Sequence, residues 1–263
     1  MTESTAAEPV RFELVTPHIA LVTLDRPEKR NAINPETANA LEAIVRKIEV
    51  DPAIRVAILA SSQPRVFCAG ADLGAVAAGK GAGLETPGGG FAGFVYVQRL
   101  KPWIAAVEGV AVAGGFELCL ACDLIVASHD ARFGLPETKR GLMAAAGGIH
   151  RIASILPRPV AAELIATGEP MDAARAFSYG LLNRLVAPGE ALATALALAE
   201  SIAVNAPLAV QYSLAAMRAS IGQSDGTGRA FVAERLAALR GTEDFKEGPR
   251  AFVEKREPVW TGR

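Results

Sequence analysis

Phe67-Cys68-Ala69-Gly70-Ala71-Asp72-Leu73 and, further on, Ala113-Gly114-Gly115-Phe116-Glu117 decide how this chain is read. The first run follows a strand with small residues, which let a ligand approach the main chain closely. The second opens a short apolar helix, Gly115 to Ala121, whose unpaired first amides and positive dipole end suit a negative oxygen. Glu117 lies within that helix between Phe116, Leu118 and Leu120, a setting that predicts partial burial. A third run, Phe133-Gly134-Leu135-Pro136-Glu137, supplies a second carboxylate at a loop. Taken alone, Glu137 reads as an ordinary solvated loop glutamate.

Working outward, His18 to Leu24 reads as a strand stopped by Asp25-Arg26-Pro27, because proline has no amide hydrogen to donate. Asn34-Pro35-Glu36 starts a helix whose apolar face, Ala38, Leu41, Ile44, Val45 and Ile48, runs on to Asp51-Pro52. Val56 to Ala60, Trp103 to Val107 and Leu124 to Ala127 read as buried strands. The Gly- and Ala-rich segment Gly74 to Gly93 reads as a mobile surface loop with a short helix early in it. Beyond Gly148 the pattern is almost wholly helical: Ile149–Leu156, Pro159–Ala166, Asp172–Tyr179, Glu190–Val204, Pro207–Ser220, Arg229–Leu239 and Phe245–Glu254. Strands mixed with helices in this order predict an α/β fold with a parallel sheet.

Composition excludes several classes. The chain has 263 residues, 51% apolar and 21% charged, so it can bury a sizeable core. Its formal charge of −1 leaves no global basic field for a nucleic acid backbone. No apolar run approaches the roughly 18 residues of a membrane span. Residues 1–11 lack the basic region and apolar core of a secretory signal, and three cysteines make no disulfide framework. The expectation is a cytoplasmic globular protein.

Two motifs read as decoys. Gly88, Gly90 and Gly93 have the G-x-G-x-x-G spacing, but they follow Pro87 in a loop with no preceding strand. Cys119 and Cys122 form C-x-x-C on an apolar helix with only Cys68 as a further thiol, which favours packing over zinc. His18, His129 and His150 have no nucleophile signature beside them, and His150 falls near the expected site.

Together these pieces resemble the crotonase family, the enoyl-CoA hydratase/isomerase superfamily. The resemblance covers nearly the whole chain: Leu24 to Pro27, Arg30-Asn31-Ala32, Phe67 to Leu73, Ala106 to Gly109, Ala113 to Glu117, Phe133 to Glu137, Gly147-Gly148 and Gly248 to Arg256. It implies an α/β fold built as a spiral of ββα units over residues 1–200. A C-terminal helical region, 201–263, then mediates trimerisation, often into hexamers.

The resemblance also implies roles. The amides of Ala71 and Gly114 would polarise a thioester carbonyl, which suits donors fixed where charge develops. Glu117 would orient and deprotonate water and Glu137 would deliver a proton, with the family's separation of 137 − 117 = 20 residues retained. Arg30, Ala69, Asp72, Leu73, Phe252 and Lys255 match positions near coenzyme A, the last two in some relatives from a neighbouring subunit. Solvated surface charge is the plain alternative for Arg30 and Lys255.

The implied reaction adds water to a trans-2-enoyl-CoA, in fatty acid or related acyl-CoA metabolism. It needs no metal or redox cofactor, coenzyme A arriving with the substrate. The alternatives are an enoyl-CoA isomerase, a carnitinyl-CoA-type dehydratase or a non-catalytic binding member of the fold. Retention of both glutamates favours water addition or removal over double-bond migration. The chain departs from the family at Ala113, at Ala144-Ala145-Ala146, at Lys139 and Arg140, and in the Gly-rich loop, all near the acyl pocket or its lid.

Overall fold

A computed structural model describes residues 8–263. Part of the segment that bears on a secretory signal, residues 1–7, lies outside that range. Two strands, β1 (Val10–Thr16) and β2 (Ile19–Leu24), form an antiparallel edge hairpin; β1 is largely exposed, and every residue of β2 is buried. Asn34 caps α1 (Pro35–Val50) by accepting from the Thr37 amide, with Pro35 at the first helical position. Lys101 closes the other end, its ammonium donating to the carbonyls of Ile48 and Asp51. β3 (Val56–Ser61) then runs parallel to β2.

From β3 onward one move repeats: a strand in a large sheet, a short strand in a second sheet, then a helix. β3 leads to β4 (Val66–Cys68) and α2 (Leu73–Ala75). After a hairpin of β5 (Glu85–Thr86) and β6 (Gly90–Phe91), β7 (Trp103–Val107) leads to β8 (Val110–Val112) and α3 (Gly114–Ala121). β9 (Leu124–Ser128) leads to β10 (Arg132–Gly134), the 3-10 turn Pro136–Arg140, α4 (Gly148–Ile155) and α5 (Arg158–Thr167). β11 (Met171–Asp172), α6 (Ala173–Ser178), β12 (Arg184–Val186) and α7 (Ala191–Ala203) finish the core.

The large sheet has the order β1-β2-β3-β7-β9-β12, the second β11-β10-β8-β4. β3, β7 and β9 stack parallel in one sheet while β4, β8 and β10 stack parallel in the other. Each turn therefore advances both sheets by one strand, about 4.8 Å. That path is the spiral of ββα units the resemblance implies.

One face of the large sheet is covered by α7, whose Ala191, Ala195, Ala199 and Ala203 recur every fourth residue and meet Ile19, Leu21, Val56, Ile58 and Ile104. The small side chains let the helix lie close to the strands. The main core on the other side contains Leu41, Ile48, Phe67, Trp103, Phe116 and Phe133. α7 and α8 (Pro207–Ser220) meet at 107°, and α9 (Asp225–Arg240) and α10 (Glu243–Glu254) complete the helical tail.

Three sequence expectations need correction. The second half is not wholly helical, since β11 and β12 lie within it; two- and three-residue strands are too short to show a period. The Gly74–Gly93 segment has its early helix, but its second half is the β5–β6 hairpin, with Leu84 and Phe91 buried. Its glycines serve close approach: a Cβ on Gly93 would lie 2.5 Å from the Ala38 carbonyl oxygen, and Gly90 and Gly93 both have positive φ. α9 also begins earlier than the sequence suggests, at Asp225 rather than Arg229, because Ser224 accepts from the Thr227 amide and offsets the weak helix formers Gly226 and Gly228.

Ala113, which precedes α3, sits at φ 52° and ψ −133°, where a Cβ crowds its own backbone. Its amide donates to the Gly134 carbonyl (2.9 Å) and its carbonyl accepts from Phe116 and Glu117, so the surrounding bonds fix that conformation. Such strain costs about 1–3 kcal/mol, and glycine frees the unfolded chain by about 0.4–1 kcal/mol. Ala113→Gly is therefore expected to raise stability by about 1 kcal/mol, seen as a higher denaturant midpoint at unchanged slope. A lower midpoint would show that the alanine is unstrained there.

Candidate active site

The site begins with a main-chain contact. Ile33 and Ala71 form a parallel bridge, in which the Ile33 amide donates to the Gly70 carbonyl (2.8 Å) and the Asp72 amide to the Ile33 carbonyl (2.8 Å). The Ala71 N–H, alternating with these, faces the opposite side. Gly70 presses on the start of α3: a Cβ on it would lie 2.8 Å from Ala113 Cβ and 2.9 Å from the Gly114 nitrogen. Gly115 is tighter still, its absent Cβ falling 2.1 Å from the Cys68 carbonyl oxygen. The Ala71 and Gly114 amides thus come to neighbouring points, and among the described residues neither donates to a backbone acceptor. Phe91 covers Gly114 from the far side, where a Cβ would meet the ring at 2.3 Å.

Asn31 and Asp72 hold this turn in place. Asn31, 1% exposed, accepts from the Arg26 amide (2.8 Å) and donates to Ser61 Oγ (2.8 Å) and the Phe67 carbonyl (3.0 Å). Asp72 accepts from the amides of Gly74 and Ala75 at the start of α2 and from both terminal nitrogens of Arg26 (3.3 Å each). Burial raises the Asp72 carboxyl, but the Ala75 amide and the Arg26 guanidinium outweigh it and hold the group below the usual carboxylate range. The Asp72 side chain is therefore occupied within the chain. Ala69 and Leu73 flank the same turn, half-buried and exposed respectively.

Glu117 lies in the first turn of α3, 3% exposed. Its Oε1 accepts from the Gly148 amide (2.8 Å) at the start of α4. Burial pushes the carboxyl up to about 7; the Gly148 amide and Arg151 oppose the rise and the nearby Glu137 adds to it. Glu137 stands half-buried in the Pro136–Arg140 turn, its Oε2 enclosed and, among the described residues, without a hydrogen-bond partner. Burial raises it too, against its own backbone amide and Arg140. The rings of Phe116 and Phe133 pack at 5.4 Å, and the Ala113 amide donates to Gly134, so the helix carrying Glu117 and the strand leading to Glu137 are pinned together.

The remaining candidates lie apart from this cluster. Arg30 is exposed in a left-handed conformation (φ 53°), its carbonyl accepting from the Ala69 amide (3.1 Å). Phe252 is 84% exposed, and Lys255 is the exposed left-handed residue ending α10. His150 is exposed on α4 and lines a cavity of about 780 Å³, together with Arg99, Asp123, Arg151 and Arg218. Neither Glu117 nor Glu137 lines that cavity. Burial pushes the Cys68 and Cys122 thiols up to about 12, and Cys119 also rises, so the C-x-x-C stays as neutral thiols.

Two contributors escape sequence reasoning: the Gly148 amide that aims Glu117, and the ring of Phe91 over Gly114. The Gly147-Gly148 pair ahead of an apolar helix was the visible signal for the first. Nothing in the sequence marks the second, because the contact spans a hairpin whose strands have two residues each.

Residues 16–263 match the model of the family described as enoyl-CoA hydratase/isomerase. Carnitinyl-CoA dehydratases of Salmonella enteritidis and Proteus mirabilis are each 40% identical over 247 residues, spanning 92% of this chain and 94% of theirs. An enoyl-CoA hydratase crystal structure from Mycobacterium tuberculosis superposes with a TM-score of 0.92 at 42% identity, covering 97% of this chain and 100% of the other. A carnitinyl-CoA hydratase from Mycobacterium avium gives 0.77 at 44%, covering 98% and 100%. With the ββα spiral and these likenesses over nearly its full length, the chain belongs to the enoyl-CoA hydratase/isomerase family and has the crotonase fold.

Proposed function

We propose that the protein is an enoyl-CoA hydratase that adds water across the double bond of a trans-2-enoyl-CoA. The observation that carries this reading is the pairing of Glu117 and Glu137, both raised by burial, beside two unpaired amides. The thioester carbonyl oxygen sits between the Ala71 and Gly114 N–H groups, which draw charge onto it and make C3 electrophilic. Water lies between the carboxyls. As its oxygen bonds to C3, Glu117 takes its proton, and Glu137 gives a proton to C2. The proton gained by one carboxyl balances that lost by the other, and exchange between them restores the starting state. The two ionisations belong to the pair rather than to either glutamate.

Coenzyme A runs along the Ala69–Leu73 turn, with Asp72 supporting the turn and Arg30 at its solvent edge. No redox group or metal is called for. Phe252 and Lys255 act from a neighbouring copy in a trimer or a pair of trimers. Supporting this, Phe252 and Val253 are 84% and 79% exposed, apolar side chains in a place that suits a subunit contact.

A second reading, dehydration of a carnitinyl-type thioester, is favoured by the names of the curated relatives. Its distal trimethylammonium group distinguishes the two. An acyl chain reaching the cavity beyond α3 meets Arg99, Arg151 and Arg218 against one carboxylate, Asp123. That balance repels a quaternary ammonium. Crotonyl-CoA is therefore expected to be turned over faster than its trimethylammonium counterpart. The reverse preference would establish the second reading.

Glu117→Gln and Glu137→Gln are each expected to lower kcat for hydration by about 10²–10⁴ with little change in KM. The loss of enoyl thioester absorbance measures this, and full activity in either variant would remove that glutamate from the reaction.

Stability should move the other way. Glu117 binds its proton more tightly folded than unfolded, so burial costs nothing below about pH 4, grows between about 4 and 7, and is complete above. Glu117→Gln removes the charge, so at about pH 8 it should be more stable by about 1–3 kcal/mol, with no gain at acid pH. Equal Tm differences at both pH values would show that the carboxyl is not strained by ionisation.

The assembly is tested by light scattering, where the mass should be a multiple of three chains; a stable monomer contradicts it.

A further inference from the structure

Glu117 is aimed by the Gly148 amide, so its direction depends on what fixes Gly148. The residues before it, Ala144 to Gly147, form no regular element. Two side chains from different parts of the fold grip them. Tyr96 Oη donates to the Ala145 carbonyl (3.0 Å). Arg151, one turn into α4, donates through Nη1 to the Ala146 carbonyl (3.4 Å) and through Nη2 to the Val95 carbonyl. The guanidinium also stands 5.5 Å from the Tyr96 ring centroid, an attractive cation–π placement.

Gly147 completes the fit. Its φ of +100° suits glycine, and a Cβ there would lie 1.9 Å from Arg151 Nη1. The guanidinium therefore occupies the volume that a side chain at 147 would take. It ties three elements together: the strand-to-loop segment at Val95, the Ala145–Gly148 turn and α4. Its fork matters here, because one planar group serves two carbonyls that a single ammonium would not reach together.

We propose that Arg151, seated against Tyr96, is a positioning residue for Glu117: by holding the Ala145–Gly148 turn it sets where the Gly148 N–H anchors the carboxylate that handles water. This rests on the hydratase reading of Glu117. Arg151 also borders the cavity beyond α3, where only a longer acyl chain would meet it; toward water and the crotonyl thioester it acts through the turn and its charge.

The charge has its own consequence. The charged groups acting on Glu117 are Glu137 from the Pro136–Arg140 turn, with Arg140 beside it, and Arg151 from α4; Tyr96 and His150 interact with Arg151 rather than with Glu117. Asp72, across the site, is neutralised by Arg26. Arg151 favours the ionised form of Glu117, so its removal moves the acid limb of the pH–rate profile to higher pH.

The test is steady-state hydration of crotonyl-CoA across pH by the full-length protein and by Glu117→Gln, Arg151→Lys, Arg151→Gln and Tyr96→Phe. Arg151→Lys and Arg151→Gln are expected to lose about 10- to 100-fold in kcat, the scale of a small misplacement of a reacting group, with KM nearly unchanged. The acid limb should rise in Arg151→Gln and stay in Arg151→Lys, which keeps the charge. Added guanidinium should restore part of the activity of Arg151→Gln. Tyr96→Phe removes one hydroxyl from a half-exposed ring, and should fold even where the arginine variants do not; a several-fold loss in kcat is expected there. Unchanged kcat in folded Arg151→Gln, or in Tyr96→Phe if Arg151→Gln does not fold, overturns the proposal. A drop in kcat with an unmoved acid limb and no rescue also overturns it, leaving Arg151 as framework. Full activity in Glu117→Gln is a different outcome and removes Glu117 from the reaction, whereas no hydration by the unaltered protein defeats the hydratase reading itself.

Discussion

Everything at the site depends on two stretches of main chain meeting with no side chain between them. The start of α3 lies against the Cys68–Ala71 turn so closely that Gly70 and Gly115 leave no space for a Cβ. That approach places the Ala71 and Gly114 amides side by side, and it fixes the helix from which Glu117 projects. The spiral makes it achievable. β4 and β8 are parallel neighbours, so the turns leaving them travel together, and the glycines let those turns touch. Packing elsewhere, from the Phe116–Phe133 pair to the buried Asn31, keeps that contact from opening.

Burial at the candidate site works against the folded state. Glu117 is buried and Glu137 half-buried, and among the described residues one oxygen of Glu137 has no hydrogen-bond partner. Unsatisfied buried polar atoms are scarce in proteins because each loses its hydration without replacement. Ala113 adds backbone strain at the same place. Local departures from good packing chemistry thus gather within a few residues of the paired amides, while α1, α7 and the large sheet follow ordinary rules.

Legibility from sequence followed the length of each signal. α1 was plain because Asn34, Pro35 and five spaced apolar residues agree, and α8 was readable to its last residue. β4, β8 and β10 were not, since three residues cannot display a period of two. The residues of the candidate site were readable only as a pattern of motifs. Glu117 stood out as a lone charge on an apolar helix, whereas Glu137 looked like any loop glutamate until the fold enclosed its Oε2. What orients Glu117 is only hinted at by the Gly147-Gly148 pair, because a main-chain amide carries no residue signature and Gly148 is 31 positions away.

The ring of Phe91 fills the place where a side chain at position 114 would go. Glycine at that position is therefore required by a neighbour within the chain, apart from anything a thioester requires. The two positions are coupled: a Cβ at 114 requires the Phe91 ring to shift or be replaced by a smaller residue, so a substitution at 114 is tolerated better when position 91 is smaller. Divergence of the β5–β6 hairpin among related sequences is accordingly constrained at this one ring, however freely its other residues drift.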